Sequence, residues 1–256
     1  MIARFADVRW YLDGRSGRAA YEAGHIPGAV FVDVDTMLAG PPSRAAGRHP
    51  LPSPESFAAA MRSLGIEEES VVVAYDDVGG TVAARLVWML RAVGVSAALL
   101  DGGIGGWVGP LSTEKPLIVP SSFPSRPWPA ALLASADDAA DLALRVLDAR
   151  APERYRGEVE PVDAVAGHVP GAVNVPATSL LGGDGRFLPR AELRARLAGA
   201  DVAYCGSGVN ACFLVVAAQH AGLPPPRLYP GSWSQWSGDP SRAVATGPSP
   251  PPRPEP

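Results

Sequence analysis

Apolar residues along this chain fall into short unbroken runs, separated by stretches in which they recur every third or fourth position. Val71–Tyr75 has no polar break, the pattern of a strand covered on both faces. In Thr81–Val93, Val82, Leu86, Met89 and Val93 follow helical spacing, and Gly94 is placed to stop the helix. The same order returns later. Val202–Tyr204 reads as a strand, and Ala211–Ala221 as a helix ended by Gly222 and Pro224. Alternating strands and helices predict an α/β fold, with a mainly parallel central sheet flanked by helices. In such sheets the ligand site lies at the carboxyl ends of the strands.

That return is part of a longer repeat. Gly24-His25-Ile26-Pro27-Gly28-Ala29-Val30 recurs as Gly167-His168-Val169-Pro170-Gly171-Ala172-Val173. A Leu-Asp-x-Arg string precedes each, Leu12-Asp13-Gly14-Arg15 and Leu147-Asp148-Ala149-Arg150. A strand ending in tyrosine and a Gly/Trp turn follow, and Tyr75/Tyr204 and Trp107/Trp236 share an offset of 129 residues. Four signals in one order, twice, indicate a duplicated domain. The expected organisation is a first domain over 1–109, a linker over 110–136, a second domain over 137–246 and a tail over 247–256. The linker holds Pro110, Pro116, Pro120, Pro124, Pro127 and Pro129, too many for helix or central sheet, so an extended surface segment is predicted. The proline-rich tail is expected to be disordered.

Composition changes this picture little. A hydrophobic fraction of 47%, a charged fraction of 19% and a net charge of -4 describe an ordinary globule without the basic field that attracts nucleic acid or an anionic membrane. The N-terminus lacks a signal-peptide pattern and no apolar run is long enough to span a bilayer, so a cytoplasmic location is the default expectation. A monomer is expected, because two copies can cover each other's apolar faces.

The chemistry concentrates at one turn. Tyr204-Cys205-Gly206-Ser207-Gly208-Val209-Asn210-Ala211 places a thiol at the end of a buried strand, then a glycine-rich loop, then a helix start. Such a loop can converge its N–H groups on one point, aided by the helix dipole, and N–H donors around a sulfur favour its anionic form. Cys212, two helical turns on, is expected to pack in the core. Two cysteines make no disulfide framework, and no Cys/His cluster has zinc spacing.

Cys205-Gly206-Ser207-Gly208-Val209-Asn210-Ala211 resembles the active-site loop of the rhodanese-type sulfurtransferases, especially the mercaptopyruvate branch. The repeated Gly-His-x-Pro-Gly-Ala motif, the Gly231-Ser232-Trp233-Ser234-Gln235-Trp236 ending and the duplication resemble that family too, over about Val8 to Ser241. The resemblance implies two tandem rhodanese-like domains, the first catalytically silent, with Asp76 standing where the second has Cys205. It implies that Cys205 is the sulfur carrier, that Gly206, Ser207, Gly208, Val209 and Asn210 supply the N–H cradle, and that Arg154 holds the donor's anionic group. Asp35 and His49 would face Ser207 across the cleft, as a proton relay or as a structural contact. Asp148 and Arg150 would be a structural pair, and His25 and His168, present in the silent copy as well, structural residues.

The implied reaction takes sulfur from a small anionic donor, 3-mercaptopyruvate or thiosulfate, to cyanide, a thiol or thioredoxin. It needs no metal or organic cofactor. Five positions depart from the family. Val162 stands where the mercaptopyruvate branch has a second donor-binding arginine. Gly206 and Ser207 replace the Arg-Lys of the thiosulfate branch. Asn210 replaces threonine, and Pro230 replaces aspartate. The donor therefore stays open at this level. A phosphatase would need arginine at the sixth position after the cysteine, where Ala211 stands. A non-enzymatic sensor or interaction module on the same fold is the remaining alternative.

Overall fold

The computed structural model describes residues 3–248. Most of the predicted disordered tail, from residue 249 onward, lies outside the described residues. The first copy runs β1 (Arg4–Asp7), α1 (Gly17–Ala23), β2 (Val30–Phe31), α2 (Val34–Met37), α3 (Pro54–Ser63), β3 (Val71–Tyr75), α4 (Ala84–Ala92) and β4 (Ser96–Leu99). The second runs α5 (Ala136–Ala140), β5 (Val146–Asp148), α6 (Pro152–Arg156), β6 (Val173–Asn174), α7 (Arg190–Leu197), β7 (Val202–Tyr204), α8 (Ala211–His220), β8 (Arg227–Leu228) and α9 (Ser232–Trp236). Each copy forms a four-stranded parallel sheet, in the orders β2-β1-β3-β4 and β6-β5-β7-β8. The apolar runs β3 and β7 take equivalent inner positions, and the turn after each opens at its carboxyl end.

Strand register corrects one part of the repeat. Asp7 pairs with Phe31 and Tyr75, as Asp148 pairs with Asn174 and Tyr204. The counterpart of Asp148-Ala149-Arg150 is therefore Asp7-Val8-Arg9, and Asp13-Gly14-Arg15 is an accidental likeness. Arg9 forks onto Asp7 and reaches the Gly24 carbonyl at 2.7 Å; Arg150 forks onto Asp148 and reaches the Gly167 carbonyl at 2.7 Å. Both pairs are buried, whereas Asp13 and Arg15 lie in solvent. The repeated histidines are buried and stack on tyrosine in both copies, His25 on Tyr21 at 3.9 Å and His168 on Tyr155 at 3.7 Å.

The two copies share a core. Helices α4 and α8, equivalent in the repeat, pack on each other, and one apolar cluster joins Leu86, Met89 and Leu90 of the first with Phe213, Leu214 and Val215 of the second. The linker is extended but not merely superficial. Phe123 is buried with its ring centroid 5.9 Å from that of Phe57, and Trp128 packs against Phe57 and Trp88. Two aromatic side chains thus anchor this segment, which also pairs singly with His25 at Ser112 and with Leu228 of β8 at Leu133.

Candidate active site

Cys205 is the first residue beyond β7, and its loop is shaped by what holds its carbonyls. The Cys205 carbonyl accepts from the Trp233 N–H at 3.0 Å, the Gly206 carbonyl from the Ser234 N–H at 2.9 Å, and the Gly208 carbonyl from Arg85 Nη1 at 3.1 Å. The Cys205 N–H donates to Ser232 Oγ, whose hydroxyl donates to the Tyr229 carbonyl; Ser232 holds a left-handed backbone, φ 53°. Gly208 takes φ 81°, and a Cβ there would lie 2.5 Å from the Pro230 oxygen, so only glycine fits. Its N–H donates to Cys205 Sγ at 3.1 Å. Among the described residues, the N–H groups of Gly206, Ser207, Val209, Asn210 and Ala211 have no protein acceptor. They form an open set of donors at the head of α8.

The first copy shows what such a loop prefers to hold. Asp76 occupies the position of Cys205, and its buried carboxylate accepts from the N–H groups of Val78, Gly80, Val82 and Ala83 at 2.6–2.9 Å. Burial pushes the Asp76 carboxyl pKa up, and the four N–H donors work against that rise. Helix α4 starts at Ala84, just after the turn that binds Asp76, and not at the predicted Thr81. One copy's cradle is filled by its own side chain; the other's is open.

Asp35, His49 and Ser207, far apart in sequence, are brought together across the two copies. His49 Nε2 lies 2.9 Å from Asp35 Oδ1 and His49 Nδ1 lies 2.7 Å from Ser207 Oγ. The Asp35 carboxylate can only accept, so Nε2 carries the proton, Nδ1 accepts, and Ser207 donates. Trp10 Nε1 donates to both Asp35 oxygens, and its ring meets His49 edge-on at 5.4 Å. Burial of His49 lowers its pKa, against the opposing pull of Asp35.

A cavity of about 450 Å3 opens over the loop and is lined from both copies, by Trp10, Arg48, Val78 and Val82 and by Arg154, Cys205, Ser207 and Asn210. Arg154 sits at its wall, held by Glu160 at 2.6 Å. Arg150 is committed to Asp148 and stacks over Trp233. Cys212 is wholly buried away from the cavity, with burial pushing its thiol up to about 12.

Two residues the sequence reading passed over belong to the site. Arg85 on α4 is fully buried and reaches the carbonyls of Gly208 at 3.1 Å, His49 at 2.9 Å and Leu38 at 3.2 Å. It ties the cysteine loop of one copy to the histidine segment of the other. Its signal was an arginine three residues after Val82, on the apolar stripe of a buried helix. Arg48, next to His49, also lines the cavity; nothing in its local sequence marked it.

A pair of parallel α/β domains, one with its anion cradle self-filled and one with a cysteine at the head of an open cradle, defines a tandem protein of the anion-loop, cysteine-centred class. The rhodanese-like domain family matches over residues 2–109 and again over 129–239, and the chain belongs to it. A Pseudomonas aeruginosa protein described as a probable 3-mercaptopyruvate sulfurtransferase is 44% identical, over 94% of this chain and 91% of its own. A Mycobacterium tuberculosis protein that carries a thiosulfate sulfurtransferase name is 42% identical, over 94% and 90%. The structure of 3-mercaptopyruvate sulfurtransferase from Leishmania major superposes with a TM-score of 0.79 at 33% identity, over 92% of this chain and 70% of that one. No helix among the described residues is long and apolar enough to cross a membrane.

Proposed function

We propose that the chain is a sulfurtransferase in which Cys205 takes a sulfur atom from 3-mercaptopyruvate, holds it as a persulfide and passes it to a thiol, cyanide or thioredoxin. The observation that carries this reading is the open N–H cradle around Cys205, in a loop whose silent twin binds a carboxylate. The Cys205 thiolate attacks the donor sulfur, a new S–S bond forms, and the C–S bond breaks. The pyruvate carbon takes up the proton that the donor thiol gives up, so atoms and charge balance. A nucleophile that is regenerated by the acceptor divides the transfer into two easier steps. Unspent loop N–H groups stabilise the negative terminal sulfur.

The choice between donors follows from proton accounting. Transfer from thiosulfate releases sulfite with no proton moved. Transfer from 3-mercaptopyruvate moves one from sulfur to carbon. Asp35–His49–Ser207 is a chain of hydrogen bonds suited to that movement, which favours 3-mercaptopyruvate. The donor's carboxylate would rest against Arg154.

Two expected outcomes test this. Incubation with 3-mercaptopyruvate should add about 32 Da to Cys205, removed by cyanide, as a covalent intermediate requires. Steady-state kinetics should then favour 3-mercaptopyruvate over thiosulfate; a protein that forms no adduct with either donor is not a sulfurtransferase. The second outcome concerns pH. The lowered pKa of His49 means that it stays neutral until the pH falls below the usual histidine value near 6.5. Only the neutral ring can accept a proton, so kcat/KM with 3-mercaptopyruvate should fall on acidification below that value. His49→Gln should remove this acid limb, and transfer from thiosulfate should not depend on it.

A further inference from the structure

Four arginines line the cavity, Arg15, Arg48, Arg150 and Arg154, and of these Arg48 and Arg154 lie against the cysteine loop. Val162 is partly exposed, and no arginine of α6 or the segment after it reaches the loop besides Arg154. Arg48 comes instead from the opposite copy. Its segment is fastened to the Gly231–Gln235 turn: the Arg48 N–H donates to Ser234 Oγ at 3.0 Å, and Gln235 Nε2 donates to the Ala45 carbonyl. A Cβ on Gly47 would lie 2.6 Å from the Gly231 oxygen, so glycine permits this close approach.

The two guanidinium groups converge on the cysteine loop. A Cβ built on Gly206, the residue after Cys205, would lie 3.1 Å from Arg48 Nη2 and 3.5 Å from Arg154 Nη1. Each arginine spends its other donors on carboxylates. Arg48 Nη1 binds Asp163 Oδ1, and Arg154 binds Glu160 through Nε and Nη2. Asp163 Oδ2 is buried without a hydrogen bond and lies 3.6 Å from Arg154 Nη2, so one carboxylate spans the two guanidinium groups. Among the described residues, Arg48 Nη2 and Arg154 Nη1 have no acceptor, and these are the atoms nearest the loop.

We propose that Arg48 and Arg154 form a two-domain clamp for the donor's carboxylate, with Arg48 supplying from the catalytically silent copy the cation that Val162 does not. The clamp rests on the sulfurtransferase reading, and it deepens it. Fixed donors on two sides of one carboxylate orient the donor sulfur toward Cys205 more strictly than a single arginine does. The silent copy then contributes to donor binding as well as to the His49 relay.

The test uses two alkylating probes of Cys205, iodoacetate and iodoacetamide, which react alike at sulfur with loss of iodide but differ in a carboxylate. The ratio of their rates, read by peptide mass at Cys205, reports the clamp and cancels changes in thiol reactivity common to both. Arg48→Met should lower the iodoacetate/iodoacetamide ratio by about tenfold or more, the size of one lost hydrogen bond to a charged group. Asp163→Asn breaks the same ion pair but leaves both cations, so it should keep or raise the ratio. An unchanged ratio in Arg48→Met overturns the proposal. So does a fall in Asp163→Asn that matches it, since Arg48 would then act only through its ion pair. The ratio needs no turnover, so it can be read whether or not 3-mercaptopyruvate is a donor, and the two readings can fail separately.

Discussion

Cys205→Ser is expected to lower kcat for sulfur transfer by roughly four orders of magnitude or more, since removing the nucleophile of a covalent catalyst costs about 10^6. Serine fits the same space, and the cradle does not depend on the sulfur. Its frame is set by Trp233 and Ser234 on the carbonyls of Cys205 and Gly206, and by Arg85 on the carbonyl of Gly208. An oxygen there cannot accept and release a sulfur atom as a persulfide does. Thermal unfolding of the variant should match wild type while the adduct of added sulfur disappears. A variant that kept most of its turnover would move the chemistry away from this loop altogether.

The second large effect is on stability and lies in the first copy. Asp76→Ala leaves four N–H donors, three of them buried, without their acceptor. Each buried unsatisfied group costs about 1 kcal/mol at the low end, so the three buried donors should cost about 3 kcal/mol. For a chain of this size that is a fall in Tm of roughly 10 °C, measured by circular dichroism or calorimetry. Asp76→Asn keeps one carbonyl oxygen for the loop and should lose less. If Asp76→Ala unfolded at the wild-type temperature, the carboxylate would not be what holds the silent loop closed.

The parallel α/β character and the position of the cysteine could be read from the chain because they rest on local patterns. Val71–Tyr75 and Val202–Tyr204 are apolar runs, and each is followed by a turn and a helix. The family likeness of the loop then pointed to Asp35, His49 and Ser207, whose mutual contacts the structure supplies. What escaped had no local signature. Leu12-Asp13-Gly14-Arg15 matched the second copy's string better by eye than Ala6-Asp7-Val8-Arg9, because strand register depends on pairing partners that a one-dimensional string does not contain. Arg48 looks like any loop arginine until the Gly47 turn is seen docked on the other copy. Arg85 was visible as an oddity in an apolar stripe, but its partners are backbone carbonyls from segments 35 and more residues away. Linker residues Phe123 and Trp128 were masked by the prolines around them, which speak of backbone shape and not of what the aromatic side chains cover.

The packing of α4 on α8 makes the gene-level unit and the energetic unit different things. The duplication is plain in the sequence, yet the apolar cluster runs without a break from Leu86 to Phe213. Cutting the chain in the linker would leave each half with a bare helix face, and would strip the cysteine loop of its Arg85 tie. Such a half is not a smaller enzyme. The shared core predicts a single melting transition where two independent domains would give two, and a substitution in the first copy is also a substitution in the wall of the other copy's cavity.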